Sequence, residues 1–345
     1  MKKKVLILGG AGFIGLGIAR FIGENRDYDI TIADIFSPGQ KDLDFNQVAV
    51  DYSIKVIKGD FADPEMFFKL DSSYDYVYML ASVVGVNRCI EEPHEVIRIN
   101  TSLILNSLKW IIENNIGKVL FSSSSECYAA STDTFNYPVP TREEVPLTIS
   151  EITHPRFTYA VTKMLGESAF LTYGNQYGFP VTIVRYQNIF GPRMGFKHVL
   201  PHLVERFYKN NENPFKIYGS EQTRAFCYIT DASQGTVLAM ENENSDQEIY
   251  HIGSPEEITI EKLTKTVGNM MGYKGEYETA PTYPGSVSRR CPDISKSIKL
   301  LGYAPKIHWQ DGLKETILWY KNFYNSGAPI RSGGFKAPDE LSYKV

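Results

Sequence analysis

Val5-Leu-Ile-Leu-Gly-Gly-Ala-Gly-Phe-Ile-Gly15 sets four apolar residues directly against glycines at positions 9, 12 and 15. Four apolar residues suffice for a strand buried on both faces, and the glycines mark a turn too tight for side chains. The pattern predicts a strand, a turn and a helix from Gly15 to Glu24. Backbone N–H groups and the helix N-terminus can then approach a pyrophosphate. Asp34 closes the next apolar strand, Ile30-Thr-Ile-Ala-Asp34. A carboxylate there can accept both ribose hydroxyls and would repel a 2′-phosphate, which selects NAD over NADP.

Working outward, the same strand pattern recurs at Lys55-Val-Ile-Lys-Gly59, Tyr76-Val-Tyr-Met-Leu80, Lys118-Val-Leu-Phe-Ser122 and Val181-Thr-Ile-Val-Arg185. Helical stretches fall between them, over Pro64 to Leu70, Val96 to Asn114 and Arg156 to Tyr177. This alternation implies an α/β fold with a doubly wound parallel sheet. From about residue 186 prolines interrupt shorter elements, yet Glu248-Ile-Tyr-His-Ile-Gly253 reads as another sheet strand. The expectation is therefore a cofactor domain over 1–185 plus about 225–253. A smaller, discontinuous α/β substrate lobe would cover about 186–224 and 254–325. Residues 326–345 are rich in Gly, Pro and Ser and read as a C-terminal arm.

The chain has 345 residues and a net charge of −4, which gives no nucleic-acid footprint. No apolar stretch is long enough to span a membrane, so a cytoplasmic protein is expected. The four cysteines (Cys89, Cys127, Cys227, Cys291) lack metal-site or disulfide spacing, and no metal is expected.

Tyr159-Ala-Val-Thr-Lys163 places a tyrosine and a lysine on one helical face. A tyrosine with a pKa of about 10 is a poor base near neutrality. A neighbouring ammonium and a positive nicotinamide ring favour the phenolate, so Tyr159 can take a hydroxyl proton as hydride leaves. Ser124 ends the serine-rich strand Ser122-Ser-Ser-Ser-Glu-Cys-Tyr128 and can hydrogen-bond the same hydroxyl. Asp60, after the third strand with Phe61 beside it, can accept from the adenine amino group. Leu80-Ala-Ser82 ends the fourth strand and would line the dinucleotide. The reading is redox chemistry on an alcohol.

These motifs resemble the extended short-chain dehydrogenase/reductases that act on nucleotide sugars. The resemblance runs from about Lys4 to Tyr324 and adds Asn100, Asn188-Ile-Phe-Gly-Pro-Arg193, Gln222-Thr-Arg224, Tyr228-Ile-Thr-Asp231 and Arg290 through Lys296. It implies a Rossmann-like domain whose NAD is held by Gly9, Gly12, Phe13, Ile14, Gly15, Asp34, Asp60, Phe61, Leu80, Ala81, Ser82, Asn100, Tyr159 and Lys163. It implies Tyr159 as base, Lys163 on ribose and nicotinamide, and Ser124 orienting the sugar hydroxyl. Asn188, Arg193, Arg224 and Arg290 are assigned to the nucleotide diphosphate, with Tyr218 beside the nucleobase. A homodimer through the helices around Val96 to Asn114 and Arg156 to Tyr177 is implied as well.

Such enzymes oxidise a sugar at C4 and then epimerise, dehydrate or decarboxylate it. Dehydratases place Asp then Glu after the serine, whereas this chain has Ser125 and Glu126. That pair, with Arg290, resembles the UDP-glucuronate decarboxylases (UDP-xylose synthase-like enzymes), where these residues attend the sugar carboxylate. UDP-glucuronate decarboxylation is thus the leading expectation for a UDP-linked substrate. A UDP-sugar 4-epimerase, a divergent 4,6-dehydratase or 4-dehydrogenase, and a non-catalytic NAD-binding sensor are the competing readings. Cys127-Tyr-Ala129 and Met79 depart from the usual family residues. Cys127 is expected to pack rather than react. Glu143, Glu144 and Glu151 are expected to face solvent.

Overall fold

The computed structural model describes residues 2–37, 40–209, 211–282 and 286–327. Its centre is a seven-stranded sheet, parallel throughout. The first six strands are β1 (Lys3–Leu8), β2 (Tyr28–Asp34), β3 (Lys55–Lys58), β4 (Ser73–Met79), β5 (Asn115–Ser124) and β6 (Val181–Tyr186), and the seventh is Glu248–Ile252. Across the sheet they run seventh-β6-β5-β4-β1-β2-β3. Val5 pairs with Ile30 on one side and with Tyr76 on the other. The order reverses between β1 and β4, and the crevice at the strands' carboxyl ends there is where this topology binds ligands.

Strand β1 shows why these sequences make a central sheet. Val5 and Ile7 join the core formed with Leu16, Ile18 and Ile22 of helix α1 (Phe13–Asn25) and with Val237 and Met240 of helix Ile229–Glu241. Leu6 and Leu8 join the opposite core, with Leu103, Ile104, Leu108 and Phe170. Alternate side chains thus feed two cores, so the strand is apolar at every position from Val5 to Leu8. The second core packs helices Pro93–Glu113 and Thr158–Tyr177 against the sheet. Of the apolar residues on these helices, Ile104, Leu108 and Phe170 are core, whereas Ile97, Leu105, Val161 and Leu165 are exposed.

The smaller lobe has its own core, including Phe190, Leu203, Phe207, Phe215, Leu263, Trp309, Leu313 and Tyr320. Strand Thr223–Ala225 pairs antiparallel with Glu257–Thr259 and parallel with Arg289–Arg290. Strands Phe215–Tyr218 and Tyr277–Ala280 pair in parallel. The chain enters the lobe, returns to the sheet for the seventh strand and leaves again, so the lobe is discontinuous.

Helix α2 (Leu43–Asp51) was not anticipated; Asp42 caps it, its Oδ1 accepting from the Phe45 amide at 2.9 Å. Residues Pro64–Lys69 form a 3-10 helix rather than an α-helix. Glu144 and Glu151 are exposed, but Glu143 is buried, with its carboxylate accepting from the His251 amide at 2.9 Å. The cause is local: Thr141 forms a bridge with Pro292 and exchanges backbone hydrogen bonds with Cys291 and Asp293, which draws the segment inward. The expected arm lies outside the described residues apart from Ser326 and Gly327. Among the described residues no helix is long and apolar enough to cross a membrane, and no group of three or more His, Cys, Asp or Glu could hold a metal ion.

Candidate active site

The glycine turn is built by close approach. Gly9 adopts φ +86°, and a Cβ there would stand 2.6 Å from the Ala81 nitrogen; one at Gly15 would stand 2.6 Å from the Gly9 carbonyl oxygen. Gly12 caps α1 with no side-chain hydrogen bond, leaving the first helical amides open to an anion. The Phe13 and Ile14 side chains pack on the core, so what they offer a ligand is main chain. Asp34 lies beside this turn, accepting from the Ala11 amide at 3.0 Å and the Phe36 amide at 2.9 Å. Burial pushes its carboxyl up, against those amides and the Arg193 charge, which favour the anion. A turn without side chains, open helix amides and an acid at the second strand end fit a dinucleotide.

The other expected cofactor contacts divide. The Leu80 and Ala81 amides donate to the Leu8 carbonyl at 2.9 and 2.8 Å, fixing the wall opposite Gly9, and Ser82 follows part-buried. Asp60 is exposed and accepts from the Ala62 amide at 3.0 Å. The Phe61 side chain is core, edge-on to Phe67 with ring centroids 5.1 Å apart, so what Phe61 can offer a cofactor is its backbone. Asn100 is buried and clamps Val83, accepting from its amide at 2.7 Å and donating to its carbonyl at 3.1 Å. It also reaches the Thr162 hydroxyl at 3.1 Å. It shapes the loop after β4.

Tyr159 and Lys163 share the first turns of helix Thr158–Tyr177, next to the end of β5. Ser124 lies beside the Tyr159 phenol, and its Oγ accepts from the Glu126 amide at 3.2 Å. Burial pushes that phenol up, with the Glu126 charge adding to it, while the Ser124 side chain pulls it back. Lys163 Nζ donates to the Ser122 carbonyl at 2.7 Å and stands 5.7 Å from the centroid of the Tyr159 ring. Burial lowers its ammonium to about 8. The ammonium thus faces a backbone oxygen close to the phenol ring. Cys127 is buried, 3.4 Å from the Ser123 hydroxyl, and burial pushes its thiol up to about 12, as expected of a packing thiol.

Beyond the serines, Ser125 is buried at the start of the 3-10 turn Ser125–Tyr128, and Glu126 follows it. Arg290 Nη1 donates to Glu126 Oε1 at 2.7 Å. Burial would raise the Glu126 carboxyl, but Arg290, Arg156 and Arg224 outweigh it and hold the group at about 2. Arg224 donates to the Thr223 carbonyl at 2.7 Å and the Val287 carbonyl at 2.9 Å. Its guanidinium is lowered to about 9 by burial first and by Arg290 next. The Nε atoms of Arg156 and Arg290 are buried without a hydrogen-bond partner. One carboxylate among three guanidiniums leaves this pocket positive and able to take anions. Arg156 was missed as a site residue; its signal was its position three residues before Tyr159.

The remaining expected substrate ligands are placed differently. Asn188 has φ +44° and donates to the Ala225 carbonyl at 3.0 Å. Tyr218 lies under the Arg206 guanidinium, 5.4 Å from its ring centroid. Arg193 departs from its expected place on a substrate diphosphate. Its Nε donates to Asp42 Oδ2 at 2.6 Å, Nη1 to the Ala11 carbonyl at 3.0 Å and, at 3.5 Å, to the Gly12 carbonyl, and Nη2 to the Gln40 carbonyl at 2.6 Å.

A Bacillus cytotoxicus protein named UDP-N-acetyl-alpha-D-glucosaminuronate decarboxylase is 32% identical over 335 residues, covering 94% of this chain and 100% of that one. A UDP-N-acetylglucosamine 4-epimerase from Methanobrevibacter ruminantium, solved with UDP-N-acetylmuramic acid, matches with a TM-score of 0.81 at 27% identity. That match covers 94% of this chain and 100% of the other. A UDP-glucuronic acid 4-epimerase from Bacillus cereus, solved with UDP-glucuronic acid and NAD, matches with a TM-score of 0.80 at 25% identity, over 93% of this chain and 100% of that one. The model of the NAD dependent epimerase/dehydratase family matches residues 5–253. That span holds the parallel sheet from Val5 of β1 through the seventh strand, and the chain belongs to the NAD dependent epimerase/dehydratase family.

Proposed function

We propose that this enzyme oxidises C4 of a UDP-linked hexuronate and decarboxylates it, with UDP-glucuronate as the substrate. The observation that carries this reading is the Glu126–Arg290 pair with Arg156 and Arg224 around it. A hexuronyl nucleotide brings two anionic centres, the diphosphate and the C6 carboxylate, and the pocket holds an excess of guanidinium to meet them. The Bacillus cytotoxicus relative named for a glucosaminuronate supports a hexuronate as the substrate class.

Bound NAD supplies the hydride acceptor at C4 and the hydride donor that restores the alcohol. Tyr159, with Ser124 at its hydroxyl, takes the C4 hydroxyl proton. Lys163, charged below about pH 8, can turn from the Ser122 carbonyl to the ribose. The C4 ketone makes the C6 carboxylate part of a β-keto acid. The C5–C6 bond breaks, its electron pair passes into the enolate, and CO2 leaves. A proton then adds at C5, and Tyr159 returns its proton to the C4 oxygen as hydride comes back. The net change consumes one proton and releases one CO2. Arg290 and Arg156 orient the carboxylate, and Glu126 holds Arg290 in place.

The test is mass spectrometry of enzyme with NAD and, separately, UDP-glucuronate and its 2-acetamido analogue. A loss of about 44 mass units, one CO2, is expected. An isomer of unchanged mass would make the enzyme a 4-epimerase like the Bacillus cereus protein, and a stable dehydrated ketone would make it a dehydratase. A stable ketone that keeps its C6 group, formed with net reduction of the cofactor, would point to a dehydrogenase, and silence with every sugar nucleotide to a sensor. A homodimer through the exposed Ile97, Leu105, Val161 and Leu165 of the two long helices is proposed with it; sedimentation velocity tests that.

A further inference from the structure

Arg193 belongs to the lobe segment after β6, yet its guanidinium donates to Ala11, Gly12, Gln40 and Asp42, all in the first 42 residues of the chain. The Ala11 and Gly12 carbonyls belong to the glycine turn, and Gln40 and Asp42 follow Asp34, the acid at the end of β2. Asp42 is itself fixed, because its other oxygen caps α2. The guanidinium is nearly enclosed, with 10% of the Arg193 side chain and 16% of the Asp42 side chain exposed. Its backbone sits at φ +69°, a left-handed conformation that a non-glycine residue adopts only when its surroundings require it. The surroundings supply the requirement: Met194 is buried, and its carbonyl accepts from the Tyr320 hydroxyl of the lobe's last helix.

A fork of fixed geometry that ties two backbone segments together holds their spacing. We propose that Arg193 is a positioning residue for the cofactor, a clasp that closes the glycine turn and the Gln40–Asp42 stretch around the adenosine half of NAD. The dinucleotide then leaves only when the lobe releases Asp42 and Gln40. Lobe position and cofactor retention are thereby coupled through one side chain. The inference uses NAD as the cofactor and is independent of which sugar reaction the enzyme performs.

The experiment measures NAD release from the intact holoenzyme, by chasing bound labelled NAD with unlabelled NAD, in wild type and in D42N, R193M, R193K and W319F. D42N keeps a good cap for α2 and removes only the charge facing Arg193, so it is the variant most secure in folding. Trp319 donates to Asp44 at 2.8 Å and joins the lobe to α2 without touching the glycine turn. The expected result is release faster by about tenfold in D42N and about a hundredfold in R193M, since truncating one partner of a desolvated pair acts chiefly on the off-rate. R193K should fall between wild type and R193M, and W319F within about twofold of wild type. UDP affinity, measured by calorimetry, should be unchanged in D42N and R193M. The inference is overturned if D42N releases NAD at the wild-type rate. It is overturned equally if R193M weakens UDP while leaving NAD release alone, which would return Arg193 to the substrate diphosphate. W319F releasing NAD as fast as D42N would assign retention to the lobe contact as a whole rather than to this arginine.

Discussion

Glu126→Gln separates the chemistry of the pocket from its binding. The variant keeps the shape and a hydrogen-bond acceptor for Arg290 but removes the one negative charge among three guanidiniums. The Glu126 carboxyl is held at about 2 against an ordinary value of 4.5. That gap corresponds to about 3 kcal/mol of preference for the ionised form in the folded state. With a quarter of its side chain exposed, solvent screening reduces the measurable part to about 1–2 kcal/mol. The sign follows from linkage: a depressed carboxyl contributes its full stability above its unfolded value and loses it as pH falls towards about 2. Urea unfolding should therefore show E126Q less stable than wild type at pH 7 by about 1–2 kcal/mol, with the gap closing below pH 4.5. Turnover, followed by product mass, should drop by about 10²–10⁴, since in the proposed reaction Glu126 is what holds Arg290 towards the sugar carboxylate. UDP should bind at least as tightly, since the pocket has become more positive. Wild-type turnover in E126Q, or a stability gap that widens in acid, would refute the assignment of this pair.

Three further outcomes follow from buried groups. K163M should inactivate the enzyme yet stabilise the NAD-free protein at pH 7 by about 2–3 kcal/mol, because burial lowers that ammonium to about 8 from 10.5. A folded-state value below the unfolded one means that stability rises with pH between them, so the advantage should vanish by about pH 10.5; thermal melts across pH check this. G9A places a Cβ 2.6 Å from the Ala81 nitrogen at φ +86° and should cost at least about 2 kcal/mol, with NAD binding lost by calorimetry. E167Q leaves the Arg185 guanidinium facing a neutral partner, with both side chains nearly inaccessible, and should cost about 3–5 kcal/mol in urea unfolding.

The features legible in the sequence are those whose cause is local. Gly9 and Gly15 announce themselves because a tight turn excludes side chains, and β1 because both its faces are buried. Tyr159 and Lys163 declare a shared helical face through their spacing alone. What escaped the sequence depends on distant partners. Glu143 reads as solvated because nothing nearby shows that Thr141 will join Cys291 and Asp293. Arg193 reads as a diphosphate ligand because its carboxylate partner, Asp42, lies 151 positions earlier. Phe61 reads as a pocket residue beside Asp60, whereas the ring turns into the core against Phe67.

The lobe's discontinuity bears on the order in which the molecule is made. All seven strands of the parallel sheet are complete once residue 252 has been synthesised, while Arg290 is still to come. Domains form as units from the N-terminus during synthesis. A nascent chain therefore has its full sheet and glycine turn available before the guanidinium that meets Glu126 exists. A ribosome stalled in this interval would display every strand of the sheet and the glycine turn, but neither Leu301 and Tyr303, which complete the first core, nor the arginine that meets Glu126.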